Sequence, residues 1–161
     1  MRHHVARTAQ TCFYHLRGLR AVRRQLSRDI TARLVSAFVL SWLDYCNVVL
    51  TGLPVSTLAL LRRVLHAAAR LILDLRPRDY VTQALQELYW LPIAQRIDYK
   101  LCLLVYKSRT GHAPVYMSDM LTPATDIMLR AMRSSTNCDY FVRRTTLRLG
   151  DRALCRCPPS L

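Results

Sequence analysis

The sequence predicts an all-α protein: a bundle of five to six helices followed by a basic, irregular C-terminal tail. Apolar residues recur at helical spacing through most of the first 123 positions. Only four glycines occur in 161 residues, so tight β-hairpins should be few. Proline and glycine fall at the edges of the periodic segments, where helices start and stop. The division expected is a helical region at 1–123 and a weakly ordered tail at 124–161. Hydrophobic residues make up 52% of the chain, which argues against wholesale disorder and suits one core.

Residues 5–26 read as an amphipathic helix, with Cys12, Leu16, Leu19, Val22 and Leu26 on one side and Arg17, Arg20, Arg24 and Arg28 on another. Gly18 weakens it by roughly 1 kcal/mol relative to alanine. A second helix, capped by Ser27 or Asp29, is expected to run to about Leu50. It is apolar nearly all round, so it is expected to be the central buried element. Gly52-Leu53-Pro54 breaks the chain. A third helix, about 56–75, places Leu58, Leu61, Leu65, Ala68 and Ile72 on its buried stripe and Arg62, Arg63, His66 and Arg70 toward the polar side, with Pro77 as its stop. A short fourth helix covers about 81–89. Pro92 opens a fifth and Gly111 closes it, with Ile93, Ile97, Leu101, Leu104 and Val105 as its core positions. A last short helix spans 115–121. Beyond Pro123 no period is sustained, and a short strand near 140–149 is the only element expected there.

Charge is the outlier in the composition. The chain carries 24 basic and 10 acidic residues, net +14, and all of the basic ones but Lys100 and Lys107 are arginine. Residues 1–40 hold eight Arg and one Asp, residues 41–128 are near neutral, and residues 129–161 hold seven Arg and two Asp. The planar guanidinium suits phosphate, so the leading partner is a polyanion: nucleic acid first, an anionic membrane surface second. Ordinary solvated helix faces mix signs, whereas here no acid precedes Asp29. Arg17, Arg20, Arg24 and Arg28 are therefore the candidate nucleic-acid-binding residues. The apolar stretch at 34–50 contains Asp44 and Asn47 and is short for a bilayer, so no membrane span is expected. A polar, basic N-terminus without an apolar core gives no signal peptide, and an intracellular location, nuclear or cytoplasmic, is expected.

No catalytic constellation emerges. Two-metal phosphoryl transfer needs clustered carboxylates, and no Asp-Asp pair occurs. Asp44 is isolated and is expected to cap or pair within the bundle. Cys155-x-Cys157, with Cys138 and His112, is poorly spaced for zinc, and His3-His4 reads as a disordered end rather than a metal site. None of the six cysteines has an activating context, and those in apolar helical patterns read as small hydrophobes. No glycine-rich phosphate loop is present, and no catalytic residue, metal or cofactor is assigned. Trp90 reads as an aromatic anchor between two helices, with base stacking as the alternative.

Several words stand in a fixed order: His4-Val5, Phe13-Tyr14-His15-Leu16-Arg17-Gly18-Leu19-Arg20, Ser41-Trp42-Leu43-Asp44-Tyr45-Cys46-Asn47 and Gly52-Leu53-Pro54. Ala68-Ala69-Arg70-Leu71, Glu87-Leu88-Tyr89-Trp90-Leu91-Pro92 and Gln95-Arg96-Ile97 continue the set, which ends in Gly111-His112-Ala113-Pro114-Val115-Tyr116 and Asp119-Met120-Leu121. As an ordered set, over about residues 3–154, they resemble the thumb and post-thumb region of the reverse transcriptase of non-LTR (LINE-type) retrotransposons, especially the jockey-like and chicken-repeat-like groups. Tyr89 stands where that family has His, and Trp42 where it has Arg. After Ala153 the sequence departs from the family's Phe-Ser continuation, which reads as a truncated or frame-shifted end. The resemblance implies a helical thumb that grips a template–primer duplex through its backbone. The family's Tyr/Phe-x-Asp-Asp polymerase motif is absent, so the expectation is a non-catalytic, nucleic-acid-binding piece of an RNA-directed DNA polymerase. The expected partner is RNA or an RNA–DNA hybrid without sequence preference, with self-association through exposed apolar surface. The alternative is a structural remnant of a decayed element that binds nothing specific.

Overall fold

The computed structural model describes residues 1–45, 47–119 and 121, and every regular element among them is helical. In chain order these are α1 (Arg2–Val22), α2 (Arg28–Val35), α3 (Ser41–Asp44), α4 (Val55–Leu73), α5 (Val81–Glu87), α6 (Ile93–Arg109) and α7 (Val115–Ser118). A π turn over Ser36–Leu40 fuses α2 and α3, so the described residues form six helices when that stretch is counted once. The chain divides into two compact units, Met1–Arg96 and Ile97–Leu161, and the division falls inside α6. The tail at 124–161 and the strand expected at 140–149 lie outside the described residues.

Helix α1 buries Val5, Thr8, Ala9, Cys12, Leu16 and Leu19. Its first turn contains His3 and His4, where a disordered end was expected. The buried stripe stops at Leu19, since Val22 is 41% exposed. The α-helix ends at Val22, and the chain then tightens into a 3-10 turn over Arg23–Gln25.

The next stretch differs from the expectation of one long, fully buried helix. Ser27 caps α2, its hydroxyl accepting from the Ile30 amide. Only one face is covered, by Thr31, Val35, Val39, Leu40 and Leu43, while Ile30, Phe38, Trp42 and Val49 are exposed. Helix α3 ends at Asp44, and a separate 3-10 turn covers Asn47–Leu50. Thr31, Val35, Val39 and Leu43 are spaced by four. In an α-helix that spacing drifts by about 40° per step. The wider π turn, closed by the Ser41 amide on the Ser36 carbonyl, offsets the drift and keeps all four on the core side.

The central element is instead α4. Val64, Leu65, Ala68, Ala69 and Ile72 are fully enclosed and Leu61 nearly so. Its stop is also not the expected one. Asp74 takes a left-handed conformation (φ 53°), three residues before Pro77, and the Leu75 amide reaches back to the Arg70 carbonyl. The same six-residue closure ends α5, with Tyr89 left-handed (φ 54°) and the Trp90 amide on the Leu85 carbonyl. It also ends α6, with Gly111 (φ 73°) and the His112 amide on the Lys107 carbonyl, as the glycine's position led us to expect. In the unit from Ile97, α7 follows this closure, and the Ser118 hydroxyl donates to the Ser108 carbonyl.

Two polar ties join distant parts of the Met1–Arg96 unit. The Arg23 guanidinium donates through Nε to the Leu71 carbonyl (2.9 Å), through Nη2 to the Ile72 carbonyl (3.0 Å) and through Nη1 to the Leu26 carbonyl (3.0 Å). It thereby satisfies carbonyls in the last turn of α4 that have no helical partner. Arg96 Nη1 meets both Asp44 oxygens, at 2.8 and 3.0 Å, with the arginine side chain 17% exposed. Asp44 thus pairs within the fold. Because Arg23 makes three charge-assisted bonds, Arg23→Ala is expected to lower the unfolding free energy by about 2–4 kcal/mol, with Arg23→Lys in between. Chemical denaturation checks this; a loss below about 0.5 kcal/mol, typical of an uninvolved surface site, would contradict it.

Candidate nucleic-acid interface

The arginines singled out from the sequence separate into different situations. Arg17 and Arg20 project from α1 and Arg24 from the 3-10 turn after it, and all three are exposed. No acid lies on α1 to neutralise them. Arg28, at the first position of α2, is ion-paired with Glu87 at the end of α5. Among the described residues the only ion pairs are this one and Arg96–Asp44. The arrangement therefore leaves Arg17, Arg20 and Arg24 without an acidic partner and engages Arg28. Arg23, inside the same run, is committed to carbonyl oxygens through all three nitrogens.

Helix α4 supplies a second set of cations. Arg62 and Arg63 are exposed on it, while His66 and Arg70 are half-buried. Arg20 is where the two sets meet. With Phe13, Leu16 and Arg17 of α1 and Ala67 and Leu71 of α4 it lines a groove of about 350 Å³. With Arg23, Arg24, Arg70 and Asp74 it lines another of about 420 Å³. Arg70 Nε is buried without a hydrogen-bond partner among the described residues. The sequence assigned Arg62, Arg63 and Arg70 to a polar face but not to the site. Nothing in a helical period tells which neighbour a helix packs against, so the approach of Arg70 to Arg20 and Arg24 was not readable.

Two α4 arginines also act on His66. Burial first, then the charges of Arg70 and Arg62, hold His66 below its ordinary pKa of 6.5. The sign follows directly. Below that value the unfolded imidazole takes up a proton that the folded one resists, so stability is lost as pH falls through and below 6.5. His66→Gln is expected to flatten the fall in melting temperature between about pH 7.5 and 5.5. An unchanged slope in thermal melts would remove His66 as its source.

Other candidate chemistry resolves plainly. Cys12 is fully enclosed, its thiol within 3.8 Å of the Val39 carbonyl, and burial pushes its pKa up to about 11. It stays a protonated small hydrophobe at neutral pH. Among the described residues no three His, Cys, Asp or Glu side chains gather as a metal site, and no helix is long and apolar enough to cross a membrane. Cys138, Cys155 and Cys157 lie outside the described residues. Trp90 is half-buried in the turn between α5 and α6. No family model, no curated protein and no solved structure matches the chain.

Proposed function

We propose that this chain is a non-catalytic, thumb-like nucleic-acid-binding module from a LINE-type retrotransposon reverse transcriptase, gripping RNA or an RNA–DNA hybrid by its phosphates. The observation that carries the reading is the set of exposed arginines without acidic partners among the described residues, Arg17, Arg20 and Arg24, with Arg70 of α4 beside Arg20 and Arg24. A row of guanidinium groups on adjoining helices suits a sugar–phosphate backbone and reads no bases. Catalysis is not part of the proposal, because the sequence has no Tyr/Phe-x-Asp-Asp word to hold metal ions. Self-association belongs to the same reading. Ile30, Phe38 and Trp42 are exposed apolar residues along one continuous helix, the kind of surface that a larger protein covers.

Binding of an RNA–DNA hybrid should fall with salt at a log–log slope of roughly −3 to −5. Replacing Arg17, Arg20 and Arg24 together by alanine should reduce that slope by about 3 units. Gel-shift titrations at several salt concentrations measure both. No binding at low salt, or an unaltered slope in the triple variant, would sink the grip. The isolated chain should also associate with rising concentration in sedimentation velocity, and Ile30→Glu with Trp42→Glu should restore a monomer. A monomer at every concentration would argue against that part.

A further inference from the structure

A third groove, of about 400 Å³, opens beside Arg17 and is walled by Tyr14, His15 and Phe38, with Gly18 and Leu19 at its base. His15 and Phe38 stack with centroids 5.6 Å apart and planes 22° from parallel, and Tyr14 meets His15 edge-on at 72°. Tyr14 is 73% and Phe38 45% exposed, so both rings offer free surface. Gly18 adds an independent observation. A glycine inside α1 costs about 1 kcal/mol of helix stability. Its φ is not the left-handed kind that demands glycine, and a Cβ built there meets no atom within 4 Å. Among the described residues, neither backbone geometry nor packing requires a glycine at this point. The space it leaves open lies in the groove itself.

We infer that this groove takes an unpaired nucleobase from a single-stranded segment, stacked on the Tyr14–His15–Phe38 wall, with Arg17 holding the adjoining phosphate. The inference rests on the nucleic-acid-binding reading and deepens it: the arginines follow the backbone, and this groove adds base-dependent affinity for single strands. Aromatic faces accept any base, so no sequence preference follows. Charge selects this occupant over an apolar peptide, because Arg17 is shared with the cationic groove on the α1–α4 side.

The test uses the full chain and three probes: a single-stranded oligonucleotide, an abasic strand of equal length and charge, and a blunt RNA–DNA hybrid. The wild type should bind the base-bearing strand about tenfold or more tighter than the abasic one. Phe38→Ala and Gly18→Leu should each abolish that margin and leave hybrid binding unchanged. Gly18→Ala should raise the melting temperature while narrowing the margin, which separates occupancy from folding. Equal affinity for both strands in the wild type, or a margin that survives Phe38→Ala and Gly18→Leu, overturns the inference. So does a change in sedimentation without a change in the margin, which would assign the groove to a second copy of the chain. Failure of the arginine grip is read separately, in the blunt hybrid.

Discussion

The end of α4 is the point on which the Met1–Arg96 unit depends. Its last carbonyls sit at the negative pole of the most deeply buried helix, where water has limited access and the helix itself provides no donors. The Arg23 guanidinium fills that need with a positive charge and correctly spaced donors, and its third bond fixes the backbone at Leu26. The turn between α1 and α2 is thereby set against the end of α4. From that junction the chain enters the α2–α3 stretch, whose core face covers the other side of the unit. A basic composition is usually read as a surface property, yet here one arginine of a dense run is a structural clamp.

That distinction organises the remaining charge. Arg28 is held by Glu87 and Arg96 by Asp44, and Asp74 is the one acid that lines the groove of Arg20, Arg24 and Arg70. Arg17, Arg20 and Arg24, with Arg70, are left to repel one another along the two grooves that Arg20 joins. Such a concentration of like charge destabilises a free protein and is relieved by a polyanion. Burial chiefly, and then Arg70 and Arg62, depress the His66 pKa. In the proposed function, binding and stability are therefore coupled, because the ligand removes a repulsion that the fold alone sustains.

The helical content and the places where helices begin and end were largely legible, since period, proline and glycine are local signals. The Gly111 closure and the α1 stripe through Leu19 follow from them. What was not legible depends on tertiary packing. Asp74 and Tyr89 adopt left-handed backbone without being glycine, so no residue-type rule announced them. The apolar run after Ser27 looked buried all round, but it has one core face, and the enclosed position belongs to α4. In the candidate interface the α1 arginines were visible as a stripe. Which were free, which was a clamp and which was paired required the partners from other helices.

The π turn at Ser36–Leu40 carries a consequence for the chain as a reading frame in space. It acts as a phase corrector: one residue more than an α-turn needs, inserted where four successive core positions would otherwise spiral away from the core. Forcing the same residues into plain α-helix would turn everything downstream by about 100°. Asp44 would then swing off Arg96, and the exposed row of Ile30, Phe38 and Trp42 would lose its alignment, although no core side chain had changed chemically. The length of this segment, more than its composition, is what ties the core to the surface it displays.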